Sequence, residues 1–410
     1  MDTSIENAAL ATRPDHVPPH LVLDFDCYNI GGSFDDLQVA WLALKEKAPS
    51  GIFWTPRNRG HWVVLNGADI EKVYSDYSRF SSEDIFIPPN GSRGNALIPQ
   101  EMNPPASLAY RSVMLRPLMP ANLGHLEGQV RKRAAHLVEK LLPQGECEFV
   151  EDFATVLPVE IFLDLMGLPP EDRSTLMPLG KMSTRPESPE QRAWAHGEIR
   201  QYLSTWIDKR RAEPGEDLLS RLALASISGQ EITKDEALRF SLNILLGGLD
   251  TVANLLAFCA LFLARHPAQR RQLIERPELL KPATEELIRR YGMVAVGRRV
   301  ATDTELCGVQ LRHGDMVQGP TMLYGMDDSI VSDPLMVDFE RKSCPHMTFG
   351  SGPHICPGQH LARKEVQIFM EEWLKSIPDF SVRPGASLEI ETGLVGGLIS
   401  LNLIWNTNGA

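Results

Sequence analysis

The sequence predicts a mainly α-helical protein with small β regions, arranged around one long buried helix. Between Thr233 and His266 the residues follow a helical pattern and are almost entirely apolar, which makes this segment the spine of the fold. Helical periodicity of apolar residues recurs in seven other segments. Strand-like segments are short and lie at the edges, and no strand–helix–strand alternation occurs.

The long helix has clear boundaries. Thr233 and Glu236 form a capping-box pattern at its start, and His266-Pro267 stops it. Residues 242–264 are numerous enough to cross a bilayer, which needs about 20 residues. However, Asp250 would cost roughly 2.5 to 3.5 kcal/mol in the middle of such a span. We therefore expect a helix buried inside the protein.

The other elements follow from apolar periodicity and from the positions of Pro and Gly. We predict helices at 34–47, 105–117, 122–142, 151–166, 190–211, 268–291 and 358–376. Strand-like segments lie at 51–67, 305–319 and 380–404. The stretch from Phe80 to Pro105, rich in Pro, Gly and Asn, is too long for a plain connection. It is a candidate pocket wall, although a surface loop fits its composition equally well.

The composition is that of an ordinary globular protein, with 43% hydrophobic and 23% charged residues. The 410 residues include 41 Lys and Arg against 53 Asp and Glu, and this net charge of -12 argues against nucleic acid as a ligand. Six cysteines without paired CxxC spacing fit a reducing compartment. The N-terminal residues carry acids and prolines instead of a signal-peptide pattern. We expect a cytoplasmic protein outside the membrane.

The densest cluster of unusual residues is CPHMTFGSGPHICPGQHLAR, residues 344–363. One interpretation is a zinc site, but the spacing of its cysteines and histidines matches none of the usual patterns. A second is a phosphate-binding loop, but the P-loop signature and a preceding parallel strand are missing. A third places Cys356 on a tight loop as a single thiolate ligand, followed by a helix whose N-terminal amides face the sulfur. Glycines in the loop then allow the backbone to approach a flat cofactor.

The motif FGSGPHICPG, residues 349–358, resembles the haem-binding loop of the cytochrome P-450 monooxygenases. The resemblance implies the cytochrome P-450 fold, with the long central helix over a buried haem b and residues 1–410 forming one haem-thiolate domain. It also implies that Cys356 is the iron ligand. Phe349, Gly350 and Gly358 lie against the haem by the same resemblance.

The long helix contains Gly247-Gly248-Leu249-Asp250-Thr251. Two adjacent glycines within a helix cost about 1 kcal/mol each relative to Ala, so they indicate a close backbone approach or a local kink. Close packing against another helix and a groove beside a cofactor both satisfy that requirement. The segment resembles the oxygen-activation segment of the same family, which implies that Gly247 and Gly248 adjoin the cofactor and that Asp250 and Thr251 supply protons during catalysis.

Two further sets of charged residues match the family. Glu286 and Arg289 resemble its ExxR pair, which lies on one helical face and braces the core beneath the haem. Arg111, Arg298 and His354 are similar to the residues that bind the haem propionates.

From residue 80 onward the chain resembles in particular the soluble bacterial camphor-hydroxylating branch. That resemblance implies these substrate-contacting residues: Phe86, Asn95, Leu97, Asn243, Leu246, Val294, Leu394 and Val395. Asn95 replaces the tyrosine that anchors the camphor carbonyl, so both volume and a hydroxyl are lost. We expect a cyclic terpenoid or norisoprenoid, camphor-like or somewhat larger.

The resemblance implies a monomeric monooxygenase that inserts one oxygen atom of O2 into a C–H bond of a small apolar substrate. No flavin or nicotinamide motif is visible, so a two-iron, two-sulfur (2Fe-2S) ferredoxin with a ferredoxin reductase is the implied electron donor. Candidate docking cations are Arg111, Arg116, Arg131, Lys132, Arg133, Lys342 and Lys364. The alternatives are a peroxide-driven peroxygenase and a haem-based ligand carrier or sensor without turnover.

Overall fold

The computed structural model describes residues 10–31, 34–90 and 93–407. These residues form fourteen α-helices, which build most of the core. They are α1 Leu37–Leu42, α2 Leu44–Lys47, α3 Gly67–Ser75, α4 Ala106–Leu118, α5 Gly124–Leu141, α6 Leu157–Met166, α7 Arg173–Thr184, α8 Pro189–Ala212, α9 Leu218–Ala223, α10 Lys234–Leu249, α11 Thr251–Arg265, α12 Pro267–Glu275, α13 Leu280–Arg290 and α14 Gln359–Ser376.

The strands are short, as expected. They are β1 Ile52–Thr55, β2 His61–Val64, β3 Phe80–Ser81, β4 Glu146–Glu148, β5 Ser226–Ile227, β6 Gln230–Glu231, β7 Gly297–Val300, β8 Thr304–Leu306, β9 Val309–Leu311, β10 Met316–Gln318, β11 Phe380–Val382, β12 Glu389–Glu391, β13 Gly397–Ser400 and β14 Asn402–Trp405. The largest sheet has the order β1-β2-β10-β7-β3, in which only the β10–β2 pair is parallel. The mainly α-helical fold with small β regions is therefore confirmed.

The central helix begins where the sequence predicts. The Thr233 hydroxyl accepts a hydrogen bond from the Glu236 amide at 3.2 Å, and the Glu236 carboxylate accepts one from the Thr233 amide at 2.8 Å. Among the described residues, Lys234–Arg265 is the one helical stretch apolar and long enough to span a membrane, and 78% of its most apolar window is buried inside the protein. The expectation of a core helix is confirmed.

The central helix is not continuous, which corrects the prediction of one unbroken helix. Asp250 has φ −128° and separates α10 from α11. The predicted helix at 268–291 is likewise two helices, α12 and α13, because Pro277 begins a separate 3-10 turn after Arg276. Helices α3, α7 and α9 and the strand β7, which lies between β10 and β3 in the sheet, were not predicted. Pro178 interrupts the helical pattern of α7, and β7 has the sequence GRRV, which lacks apolar alternation.

Candidate active site

The loop before α14 presents Cys356 at the base of the site. Its amide donates a hydrogen bond to the Phe349 carbonyl at 2.8 Å, which closes the loop into a tight turn. Gly350 and Gly352 have φ values of +75° and +66°, where a side chain would be strained. A Cβ on Gly352 would also lie 2.7 Å from the Cα of Ser75 at the end of α3. The glycines thus serve the turn and its packing against α3.

Cys356 is half-buried, and its surroundings act on the sulfur in opposite directions. Burial is the largest effect and raises the pKa of the Cys356 thiol overall, while the amide of Gly358, the guanidinium groups of Arg111 and Arg363, and the amide of Gln359 act to lower it. Negative charge on the sulfur is therefore supported by the first amides of α14 and by two cations. This is the environment that a thiolate metal ligand requires.

Arg111, Arg298 and His354 lie near one another, since the two guanidinium charges both act on the His354 ring. Burial and these two charges lower the pKa of His354 to about 3, so its imidazole is neutral. Arg111 and Arg298 are only 4% and 1% exposed, and neither pairs with a carboxylate among the described residues. The buried Arg111 Nη1 and both ring nitrogens of His354 make no hydrogen bond of good geometry.

Buried cations without an anion are costly, so this group calls for acidic oxygens from a ligand. Two carboxylates of a porphyrin would satisfy both guanidinium groups, and Cys356 would supply the axial sulfur. The residues present therefore fit a haem.

The zinc interpretation is wrong for the described part of the chain, which contains no group of three or more His, Cys, Asp or Glu able to hold a metal ion. The side chains of the cluster diverge. Cys344 lies 3.4 Å from a Glu286 oxygen, and His346 lies 3.5 Å from Glu285.

Asp250 is held by a buried network at the break between α10 and α11. Its Oδ1 accepts hydrogen bonds at 2.8 Å from Arg185 Nη2 and from Asn254 Nδ2, and its Oδ2 lies 3.3 Å from the Thr184 hydroxyl. Arg185 also contacts the partly exposed Glu391 at 2.9 Å. A chain of charged groups thus runs from the surface at Glu391 to the helix break.

The adjacent glycines have different roles. No atom lies within 4 Å of the Cβ position of Gly247, whose carbonyl accepts a hydrogen bond from the Thr251 hydroxyl at 3.1 Å. A Cβ on Gly248 would lie 2.4 Å from the Phe162 ring of α6. Gly247 therefore has the open face, and Gly248 is required for close helix packing; that both glycines adjoin the cofactor stays a prediction.

Replacing each glycine by alanine tests this division. Gly248→Ala should lower the free energy of unfolding by about 1 to 3 kcal/mol, because the methyl group overpacks against Phe162. Gly247→Ala is the matched control and should change it by no more than about 1 kcal/mol. Denaturant titration measures both values, and equal losses in the two variants would contradict the assignment.

Glu286 and Arg289 form the buried pair that the sequence predicts. Two parallel hydrogen bonds of 2.8 Å join the guanidinium to the carboxylate. Arg289 also donates to the carbonyls of Gly325 and Pro334, and Glu286 accepts from the Asp338 amide at 3.0 Å. The pair therefore fastens α13 to the long loop that leads to Cys356.

Several predicted wall residues converge. Val294 and Val395 form an isolated antiparallel bridge, and the Leu394 amide bonds to the Thr184 carbonyl at 3.1 Å, next to the Asp250 network. On α10, Asn243 lies three residues before Leu246 and four residues before Gly247, so it is a neighbour of each on the helix surface. Phe86 and Leu97 are buried in the loop 80–105. Asn95 ends a 3-10 turn in that loop and is exposed.

Sequence reasoning missed the polar side chains above this wall. Arg185, Arg192 and His196 are buried, and each contacts residues distant in the chain. No local pattern distinguishes them from surface residues of a helix. Glu365 on α14 was missed for the same reason: it is 2% exposed and its Oε1 has no hydrogen-bond partner in the described residues.

Glu365 should make stability depend on pH. Burial raises its pKa to about 8, so the folded chain keeps the carboxyl neutral while the unfolded chain ionises it above about pH 4.5. Its contribution to stability is therefore lost progressively as pH rises from about 4.5 to 8. Glu365→Gln should be more stable than the parent by roughly 2 to 4 kcal/mol at pH 8.

Denaturant titrations at pH 5 and pH 8 measure this difference, which should shrink at pH 5. The exposed Glu275→Gln is the control and should show no such trend. A difference that stays constant between the two pH values would rule out this role of Glu365.

The comparisons with known proteins agree with this site. The family model Cytochrome P450 matches residues 186–389. Probable cytochrome P450 127A1 of Sinorhizobium fredii (strain NBRC 101917 / NGR234) is 32% identical over 403 residues, covering 96% of each chain. Linalool 8-monooxygenase of Pseudomonas putida is 30% identical over 382 residues, covering 88% of this chain and 93% of that protein. The crystal structure of CYP101J2 has a TM-score of 0.88 and 38% identity, covering 97% of this chain and 100% of that one.

Fold, site and relatives together define a haem-thiolate oxidoreductase. The chain belongs to the cytochrome P450 family. It is a cytochrome P-450 monooxygenase whose cofactor is haem b.

Proposed function

We propose that this monooxygenase inserts one oxygen atom of O2 into a C–H bond of a small apolar cyclic substrate, a terpenoid or norisoprenoid of camphor size or somewhat larger. The observation that carries the proposal is the helix break at Asp250 and Thr251, which lies beside a wall of mostly apolar side chains. Linalool, in the name of the Pseudomonas putida relative, is itself a terpenoid. Because the wall offers few polar groups, the shape of the substrate decides which substrate binds.

In this proposal the haem is held through Cys356, and its propionates are bound by Arg111, Arg298 and His354, of which Arg111 Nη1 and the His354 ring nitrogens have no hydrogen-bond partner among the described residues. Phe349, Gly350 and Gly358 of the cysteine loop and Gly247 of α10 border it. When bound, haem supplies the reductive cleavage of O2 and the transfer of one oxygen atom to carbon.

The protein supplies the protons that this cleavage consumes. Thr251 Oγ1, which donates to the Gly247 carbonyl, can turn to donate to oxygen held in the groove. The Asp250 carboxylate accepts a proton from solvent water and passes it to Thr251, while Arg185 orients that carboxylate. Arg185 remains protonated, so it positions the two carboxylates that it joins, Asp250 and Glu391, and transfers no proton.

Thr251→Ala tests the proposed reaction with ferredoxin, reductase, NADH and a panel of monoterpenoid and norisoprenoid ketones. The product formed per NADH should fall about tenfold or more while NADH consumption continues, because proton delivery is lost. Thr251→Ser keeps the hydroxyl and should retain coupling. An unchanged product yield with peroxide alone would support a peroxygenase, and binding without NADH consumption would support a carrier or sensor.

We propose a 2Fe-2S ferredoxin and its reductase as the electron source, docking on the face near Cys356. Most candidate cations are already engaged: Arg111 is buried, Arg131 pairs with Glu371 and Glu372, Arg133 with Glu160 and Asp164, and Lys364 with Glu127. Arg116, Lys132 and Lys342 are exposed and make no ion pair within the described residues. These three are the better docking cations. A cytoplasmic, monomeric, single-domain protein of residues 1–410 fits this role.

A further inference from the structure

Arg192, on the buried face of α8, fastens three separate parts of the chain together. Arg192 is only 1% exposed. Nε donates to the Ser183 carbonyl of α7 at 3.1 Å, and Nη1 donates to the Pro88 carbonyl at 3.3 Å and to Asn90 Oδ1 at 3.4 Å. Two of the three parts that this guanidinium binds to α8 are therefore α7 and the loop that follows β3.

The third part is the N-terminal segment at Tyr28. Arg192 Nη2 donates to the Tyr28 hydroxyl at 2.6 Å and to the Ile87 carbonyl at 3.4 Å, and the Tyr28 hydroxyl donates to the same carbonyl. No carboxylate hydrogen-bonds to this guanidinium in the described part of the chain; its acceptors are carbonyl, amide and hydroxyl oxygens. Moving the loop away would leave a buried cation without these acceptors, which is unfavourable.

The same helix face holds the aromatic ring of the loop. The guanidinium carbon of Arg192 lies 4.7 Å from the centroid of the Phe86 ring, and the His196 ring packs edge-on against Phe86 at 5.7 Å. Arg192 and His196 are one helical turn apart. His196 Nε2 lies 2.8 Å from the Ser183 hydroxyl, so α7 fixes this ring as well. Phe86 is thus clasped between two side chains of α8.

We propose that Arg192 is a positioning residue that holds the loop at 86–90 closed against α7 and α8 and thereby limits how fast ligands enter and leave the proposed haem site. The inference rests on the proposed function, in which Phe86 is part of the substrate wall. The exchange of ligand requires the loop to separate from α8. That separation breaks the bonds of Arg192 to Ile87, Pro88 and Asn90 together, which sets the rate.

The test compares haem-loaded Arg192→Met with the parent, using 4-phenylimidazole, an azole that coordinates ferric haem whatever the natural substrate is. Stopped-flow absorbance in the Soret region should show association and dissociation rate constants that both rise about tenfold, with little change in their ratio. Hydrogen exchange of the peptide 83–90 should accelerate by a similar factor. Arg200→Met is the matched control, because Arg200 lies on the same helix and pairs with the exposed Asp235.

The proposal would be overturned if Arg192→Met left unchanged both the rate constants of azole binding and the hydrogen exchange of the peptide 83–90. If Arg192→Met loses its haem, Tyr28→Phe provides the second variant, since it removes one acceptor and one donor of the same network. Tyr28→Phe should accelerate both the exchange of the azole and the hydrogen exchange of the peptide 83–90 about threefold. No acceleration of either would again overturn the proposal. If the parent protein shows no Soret response to the azole, the proposed function fails, whereas hydrogen exchange still decides the role of Arg192.

Discussion

Replacing Arg289 by methionine should cost about 3 to 5 kcal/mol of folding free energy, because it leaves the Glu286 carboxylate buried without its bidentate partner. Arg341 Nε, at 3.1 and 3.2 Å from the two Glu286 oxygens, and the Asp338 amide, at 3.0 Å, remain, but neither replaces the two parallel hydrogen bonds of Arg289. The loss is a large share of the stability of a typical protein, about 5 to 15 kcal/mol. The loop that leads to Cys356 is anchored through this pair, so haem retention should fall with stability. Denaturant titration and the haem content of the purified protein measure both effects.

Arg276→Met is the matched control for this prediction. Arg276 also pairs with two carboxylates, Glu278 and Glu340, but it is 44% exposed. An exposed pair contributes only about 0 to 1 kcal/mol, so this variant should behave almost like the parent. If Arg289→Met and Arg276→Met lost similar amounts of folding free energy, the burial of the Glu286–Arg289 pair would not be what determines its contribution to stability.

Replacing Cys356 by alanine should abolish product formation and remove the thiolate signature from the haem spectrum. The substitution deletes the sulfur that the Gly358 and Gln359 amides and the charge of Arg111 act on. The fold should persist, since the Phe349 carbonyl accepts from the backbone amide of residue 356 and not from the sulfur. Absorbance spectra, product assays and denaturant titration separate the loss of ligation from a loss of folding.

Cys344→Ala is the matched control, because Cys344 lies in the same segment but is directed toward Glu286. It should keep both the pigment and turnover. Retained thiolate spectra in Cys356→Ala, or their loss in Cys344→Ala, would reassign the ligand.

Local sequence was sufficient where the interacting groups are close in the chain. The capping box at Thr233 and Glu236 and the pair Glu286–Arg289 lie within one helical turn each, and both form as predicted. The cysteine loop is equally local, because its amides, glycines and sulfur all lie in residues 349–359. In each case chain spacing alone determines the contact.

Contacts between distant segments could not be predicted. The helix break occurs at Asp250, whose carboxylate pairs with Arg185, the residue that follows α7. Gly247 and Gly248 are adjacent and chemically identical, yet only the packing of Phe162 shows which of them is required for helix contact. In the sequence Arg192 is indistinguishable from a surface arginine of a helix, because its partners Ile87 and Tyr28 are distant in the chain. Tertiary partners, and not propensity, decide these features.

The most direct test of the central claim is the absorption spectrum of the full-length protein after reduction with dithionite and treatment with carbon monoxide. Thiolate ligation through Cys356 predicts about one haem per chain and the strongly red-shifted Soret band of a thiolate-bound complex. A Soret band typical of histidine ligation, or a protein that binds no haem, would contradict it.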